Sequence, residues 1–198
     1  MDFDKVISKL SEKLKPSRLE HSIGVMNTAA ELAKRFGADE KKARIAGILH
    51  DCAKWMDENE GYRFCESHNI ELDEVSKNNY AIVHQYIGAV LAKDEFGIDD
   101  KEILDAIRCH ATGKENMSTL EKIIHVADMT ESSRNKKPYD GLSELRELCK
   151  TNLDKAVIFG LELSMMHVIS KGKLVHPDTV LARNALILNT EAKNKRKK

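Results

Sequence analysis

The sequence predicts an all-α fold, on three observations. Only three prolines and ten glycines punctuate the 198 residues. No apolar run alternates with the period of two that a half-buried strand shows. Helix start and stop signals instead recur along the chain.

Taken in order, Ser17-Arg18-Leu19-Glu20 has the form of a capping box, in which the Ser hydroxyl accepts from a free amide and the Glu reaches back. It opens a long helix through Leu19, Ile23, Met26 and Ala30, which Gly37 can end in a left-handed conformation. Asp39 can cap the next, through Ala43, Ala46, Gly47 and His50. A further helix is expected from Ala81 to Phe96, again followed by a glycine, Gly97. Asp99 can cap one carrying Ile103, Ala106, Ile107 and His110. Ser118-Thr119-Leu120-Glu121 is a second capping box, and Leu120, Ile124 and Asp128 follow at helical spacing. Arg134 to Gly141, polar and holding Pro138, reads as a loop. Two long helices follow, Leu153 to Lys171 closed by Gly172, and Pro177 to about Asn189 with proline at the tolerated first position. No repeat or linker divides the chain. The expectation is one domain over residues 1–190, its C-terminal helices packed on the rest, and a disordered basic tail at 191–198.

Composition narrows the function classes. A 41% hydrophobic and 32% charged content is that of a soluble globular chain rather than a disordered one. Lys plus Arg and Asp plus Glu balance at 32 each, which argues against a nucleic-acid binder working through a broad basic face. The terminal KNKRKK run reads as solvated rather than as an RNA contact. No segment approaches the roughly 20 apolar residues of a membrane span. The opening MDFDKVISKLSEKLK lacks the uninterrupted apolar stretch of a signal peptide, so the cytoplasm is the expected location. Cys52, Cys65, Cys109 and Cys149 are scattered and read as reduced thiols. Cys52 and Cys109 adjoin candidate ligands but are expected to pack as small hydrophobes.

One constellation carries chemistry. His50 and Asp51 are adjacent at a helix end, about 100° apart on the wheel, and can still converge on one ion because imidazole outreaches a carboxylate. His21 sits among Leu19, Ile23 and Val25, and His84 shares a face with Ile87, Gly88 and Leu91. His110 continues the row Ile103, Ala106, Ile107, and Asp128 the row Leu120, Ile124. A carboxylate facing inward from a helix costs several kcal/mol unless paired or metal-bound. Any one of these histidines alone reads better as a hydrogen-bonded core residue, the reading given to His68, His125, His167 and His176. Four imidazoles and two carboxylates projecting inward from separate helices are how bundles build metal sites.

The series His21, His50-Asp51, His84, His110, Asp128 resembles the HD-domain superfamily of metal-dependent phosphohydrolases. The flanking segments LEHSIGV, LHDCAK, HQYIGA, HATG, HVADMTE, NLDKAV and HPDTVLARN look closest to its YqeK-type branch, the symmetrical diadenosine tetraphosphate hydrolases. Asn152 stands where that pattern suggests an acidic residue. The resemblance implies an HD-type helical bundle and two divalent ions. His21, His50, Asp51 and Asp128 would hold the first, and Asp51, His84 and His110 the second, with Asp51 shared. A catalytic metal keeps about three protein ligands and an open position, so six ligands suit two ions better than one. The resemblance favours iron; the imidazole and carboxylate donors also suit manganese, zinc or nickel.

Ions roughly 3.5–4 Å apart can share a hydroxide that attacks phosphorus, which makes Asp51 catalytic as well as a ligand. Lys54, three residues on, is expected to face the same side and hold a phosphate as a point charge. Thr112 and Gly113 are candidates for amides that approach a phosphate or base, and Arg134, Lys137 and Arg183 are phosphate candidates on the strength of the resemblance. The reaction implied is symmetrical cleavage of diadenosine tetraphosphate into two ADP. A nucleotidase acting on a mono- or deoxynucleotide shares the metal centre and stands as the alternative, and a non-catalytic nucleotide- or metal-sensing module is the alternative from another class. A homodimer is expected only as the commonest assembly.

Overall fold

A computed structural model describes the backbone of residues 1–195 and side chains as far as Ala192. Among the described residues every regular element is helical. In order these are α1 (Phe3–Ser11), α2 (Pro16–Phe36), α3 (Glu40–Leu49), α4 (Glu58–Ser67), α5 (Glu74–Lys77), α6 (Tyr80–Asp94), α7 (Lys101–Arg108), α8 (Thr119–Thr130), a 3-10 turn (Ser132–Lys136), α9 (Leu142–Thr151), α10 (Leu153–Ser170) and α11 (Pro177–Lys195). The all-α expectation holds.

Helices α2, α3, α6, α7 and α8 form the centre. The long α2 lies along α3 and α8, α3 also packs on α7 and α8, and α6 on α7. Closest approach falls at Gly47 of α3, where a Cβ would stand 2.9 Å from the Cα of Met26 on α2. Ala29, Ala33, Ala43, Ala46, Ile48, Leu49, Ile87, Ile107, Ile123 and Ile124 are buried in the interior this creates. Behind α8, α10 packs against α8 and α9, and α11 lies on α10 as the outermost layer.

Several predicted boundaries shift, for local reasons. Ser17 is not the cap of α2: Lys15 is, and Pro16 takes the first helical position, where its fixed φ fits and its missing N–H is no loss. Ser118 and Glu121 do form the reciprocal capping box of α8, and Asp39 caps α3 by accepting from the Lys42 amide. α7 is capped by Asp100 rather than Asp99. Asn152 caps α10 by accepting from the Lys155 amide, so an uncharged side chain serves there. α11 continues to Lys195, taking in the first five residues of the segment expected as a disordered tail; its period carries on through Ala192 without a breaker, and residues 196–198 lie outside the described residues. The sequence reading had no counterpart for α1, α4, α5 and α9. Each opens on a clear signal in hindsight: Asp2, the Asp57–Glu60 capping box, Asp73, and a left-handed Gly141.

A candidate metal centre

His21 projects from α2, His50 caps the C-terminus of α3, and Asp51 starts the tight turn that follows. His84 lies in α6, His110 in the turn after α7, and Asp128 in the last turn of α8. All six side chains meet. The ligand atoms of His21, His50 and Asp51, of His50, His110 and Asp128, and of Asp51, His84 and His110 form three groups, each within 4.8 Å. The four imidazoles and Asp51 are buried, and Asp128 is partly open to solvent.

Asp51 stands at the centre. Its Oδ1 lies 3.2 Å from His84 Nε2 and 3.7 Å from His110 Nε2, while Oδ2 lies 3.5 Å from His50 Nε2 and 3.8 Å from His21 Nε2. Each oxygen thus faces a different histidine pair. Asp128 Oδ1 closes the first half, 3.0 Å from His21 Nε2 and 3.9 Å from His50 Nε2.

Hydrogen bonding fixes the tautomers. Nδ1 of His50, His84 and His110 lies 2.7–2.8 Å from the carbonyls of Gly47, Ala81 and Ile107, each three residues earlier. A carbonyl only accepts, so Nδ1 carries the proton and Nε2 presents a lone pair. His21 differs, with Nδ1 3.0 Å from Glu131 Oε1 and Nε2 3.0 Å from Asp128 Oδ1, so each of its nitrogens faces a carboxylate. Nε2 of His50 then sits 3.3 Å from Nε2 of His21, and Nε2 of His84 3.0 Å from Nε2 of His110. In the His84–His110 pair two lone pairs face each other, and they repel unless a cation lies between them. Burial meanwhile lowers the pKa of His50 and of His84 to about 4, so a proton is a poor candidate for that cation. The donor set therefore fits divalent metal, with the imidazole and carboxylate shell such metals take.

The carboxylates are anionic in spite of their burial. Burial opposes their ionisation, but the imidazoles around Asp51 and the His21 hydrogen bond to Asp128 hold both well below the usual carboxylate range. His21 is pushed the other way from its neighbours: burial lowers its pKa, and the hydrogen bond and charge of Asp128 outweigh burial and raise it.

Cations border the mouth. Arg18 Nη1 reaches Asp51 Oδ2 at 2.6 Å, and Arg134 Nη2 reaches Asp128 Oδ1 at 2.7 Å while its fork also holds the Asp128 carbonyl. Lys54 is exposed, with Nζ 3.4 Å from the Ala81 carbonyl that also holds His84. Desolvation, with Arg18 nearby, lowers its ammonium pKa against the pull of Asp51 and Asp128.

Other expectations change. Thr112 and Gly113 do not offer free amides: the Thr112 N–H donates to Gln85 and the Gly113 N–H to the Cys109 carbonyl. Gly113 is required instead for its φ of +68° and for close packing, since a Cβ there would stand 3.1 Å from Ala182. Arg183 is held by Glu162 at 2.7 Å and ties α11 to α10. Lys137 is exposed past the 3-10 turn, where its neighbour Lys136 pairs with Glu20. Cys52 and Cys109 are buried, their thiol pKa values raised by desolvation, and Cys52 Sγ faces the Gly88 carbonyl.

Two residues of the site went unassigned in the sequence. Arg18 precedes His21 by three positions and Glu131 follows Asp128 by three, so each shares a face with a ligand. Glu131 is fully buried, and Gly24 makes room for it, because a Cβ on Gly24 would collide with its carboxylate. Ser133 and His21 hydrogen bonds outweigh burial and keep Glu131 ionised.

Comparison with known proteins agrees with this geometry. The chain is 38% identical to the symmetrical bis(5'-nucleosyl)-tetraphosphatase of Bacillus subtilis (strain 168), covering 94% of this chain and 98% of that protein. It is 37% identical to the protein of the same description from Halalkalibacterium halodurans, over 95% of this chain and 98% of that one. A crystal structure from Clostridium acetobutylicum, described as a predicted HD superfamily hydrolase involved in NAD metabolism, superposes with a TM-score of 0.90 at 39% identity over 96% of this chain and 98% of that one. The model of the HD domain matches residues 18–133, which span every residue of the cluster from Arg18 to Glu131, and the chain belongs to the HD domain family.

Proposed function

We propose that this protein is a metal-dependent hydrolase that splits diadenosine tetraphosphate symmetrically into two ADP. Full-length similarity to proteins described as symmetrical tetraphosphatases supports the substrate. The observation that carries the chemistry is Asp51, with each oxygen facing a pair of imidazoles whose Nε2 atoms converge on it and on each other. His21, His50, Asp51 and Asp128 would hold one divalent ion and Asp51, His84 and His110 the other. Iron is the ion this reading names; manganese, zinc and nickel suit the same donors.

Bound ions would supply positive charge to the phosphate oxygens and bring the pKa of a water towards neutrality. The chain's own residues do the rest. Water oxygen bonds to one of the two central phosphorus atoms, and the bond from that phosphorus to the other central phosphate's bridging oxygen breaks, releasing one ADP while the other retains the new oxygen. Arg18 and Arg134, already on the outer edges of Asp51 and Asp128, are placed to take charge from the polyphosphate, and Lys54 adds a third cation. A tetraphosphate carries enough negative charge to engage all three. The reading includes the cytoplasmic location expected from the sequence and a homodimer.

The test uses metal-stripped protein reloaded anaerobically with ferrous iron, with products of diadenosine tetraphosphate separated by chromatography. ADP as sole nucleotide product, lost in His50→Ala and Asp51→Ala, is expected. ATP plus AMP would overturn symmetrical cleavage. Hydrolysis of mononucleotides alone would favour the nucleotidase, and metal binding without turnover on either would favour the sensing module. Lys54→Ala is expected to raise KM; unchanged KM and kcat would remove Lys54 from the phosphate site.

A further inference from the structure

His110 is the only one of the four clustered histidines that lies outside a helix or its cap, in the turn between α7 and Gly113. The turn lies beyond the ladder of α7 and is spanned by the bond from the Gly113 amide to the Cys109 carbonyl, yet His110 has to meet His84 Nε2 and Asp51 Oδ1. Two buried side chains that belong to neither half of the metal cluster grip it from opposite sides.

On one side is Gln85, next to His84 in α6 and fully buried. Its Oε1 accepts from the Ala111 amide at 3.2 Å and the Thr112 amide at 3.3 Å, and its Nε2 donates to Thr112 Oγ1 at 3.2 Å. On the other is His125 of α8, also buried, whose Nδ1–H donates to the His110 carbonyl at 2.8 Å. His125 Nε2 is buried without a hydrogen-bond partner, and a Cβ on Gly160 would stand 3.4 Å from it. Leaving a buried acceptor unsatisfied costs about 1–3 kcal/mol, a cost phenylalanine or leucine would avoid. The nitrogen this site uses is Nδ1, and its one partner is the ligand's own peptide.

We infer that Gln85 and His125 are positioning residues for the second metal ion: they clamp the peptide that follows His110, Gln85 on its N–H edge and His125 on its carbonyl edge, and hold the ring in register with His84 and Asp51. The first half does not touch them: His21 rests on a helix and on Glu131, and His50 on a helix cap and the Gly47 carbonyl. The His110 ring, although its Nδ1 meets the Ile107 carbonyl, is instead carried by a turn whose following peptide Gln85 and His125 hold. The clamp thus acts on one ion. Partners that orient a ligand typically account for about 10–100-fold in metal affinity.

The inference rests on the two-ion reading, and metal content tests both. The full-length wild-type chain, stripped and reloaded with ferrous iron under nitrogen, is expected to hold two ions after desalting. Gln85→Ala and His125→Phe, folded by circular dichroism, are expected to hold close to one, the second ion binding about 10–100-fold more weakly in titration. Gln85→Glu keeps an acceptor for both amides and is expected to keep both ions. Should Gln85→Ala fail to fold, the near-isosteric His125→Phe carries the same expectation. Two ions bound with wild-type affinity in both loss variants, equal loss of both ions, or one ion in Gln85→Glu would each overturn the clamp. A wild-type chain that holds one ion overturns it together with the two-ion reading, whereas wild type with two and variants with two overturns the clamp alone.

Discussion

Three of the four imidazoles around Asp51 are set by the same local device, Nδ1–H donation to the carbonyl three residues back, which leaves Nε2 bare in a dry interior. In metal-free protein this has a consequence for stability. His50 and His84 are lowered to about 4 by burial, against 6.5 for free imidazole. Between those values the unfolded chain takes up protons that the folded chain refuses, so stability falls as pH drops through that window. From pH 6.5 to 5 each group contributes a loss of about 2 kcal/mol. His21, raised by Asp128 against burial, acts oppositely: its stabilisation is present below 6.5 and is lost as pH rises through its folded pKa, so it changes little in this window. Asp51 and Asp128 are depressed, so their contribution disappears only at lower pH. The metal-stripped chain should therefore lose about 6–12 °C in Tm between pH 6.5 and 5, for a net change of about 3 kcal/mol. A flat or rising Tm would mean these rings are not dry. The six clustered residues were legible in the sequence because each breaks an apolar helical row. Arg18 and Glu131 were not, because a charged residue three positions from a ligand looks like any solvated one until the ligand's direction is known. The partners of the Thr112 and Gly113 amides were not legible, because adjacency to His110 says nothing about where an amide points.

At the level of elements, the site depends on how closely α2 and α3 approach. Gly47 lets them touch, and its carbonyl orients His50. Gly47→Ala places a Cβ within 2.9 Å of the Met26 backbone, which no side-chain rotation relieves. Overpacking of this kind costs about 1–3 kcal/mol, only partly offset by the roughly 1 kcal/mol gain in helix propensity from Gly to Ala. Gly47→Ala should lower the denaturant midpoint and weaken metal binding together, since the helices part where His21 and His50 converge. Unchanged chemical denaturation would refute the close approach. The long helices were legible from periodicity and glycine stops. α5, of four residues, and α4, which is strongly charged, offer too little apolar pattern to stand out, and α9 follows a polar loop from which only Gly141 separates it. The start of α2 shows the limit of cap signatures: Ser17 and Glu20 match a capping box, but a proline one residue earlier claims the first turn.

Across the whole molecule, apolar exposure is unevenly distributed. Apart from Met1, the large hydrophobic side chains exposed among the described residues are Met166, Ile169, Leu174, Val180, Leu181 and Leu188, all on α10, α11 or the loop between them. On α11 the core side is marked by Thr179, Ala182 and Leu186, and Leu181 and Leu188, seven residues apart, lie on the opposite side of the wheel. On α10, Ala156, Val157, Gly160 and Leu161 face inward, and Met166 and Ile169 point away from them. Six side chains, each between 40% and 66% exposed, present several hundred Å² of apolar surface, approaching the roughly 800 Å² per partner of a standard interface. A second copy meeting the same face across a two-fold axis is the simplest cover, because one self-complementary patch then serves both partners. Sedimentation equilibrium should give a dimer for the full chain, and Met166→Glu with Leu188→Glu should convert it to a folded monomer. The metal cluster lies in the helices beneath, so those monomers should retain both ions and their turnover. A wild-type chain that sediments as a monomer at tens of micromolar would remove the dimer and leave the metal centre as proposed.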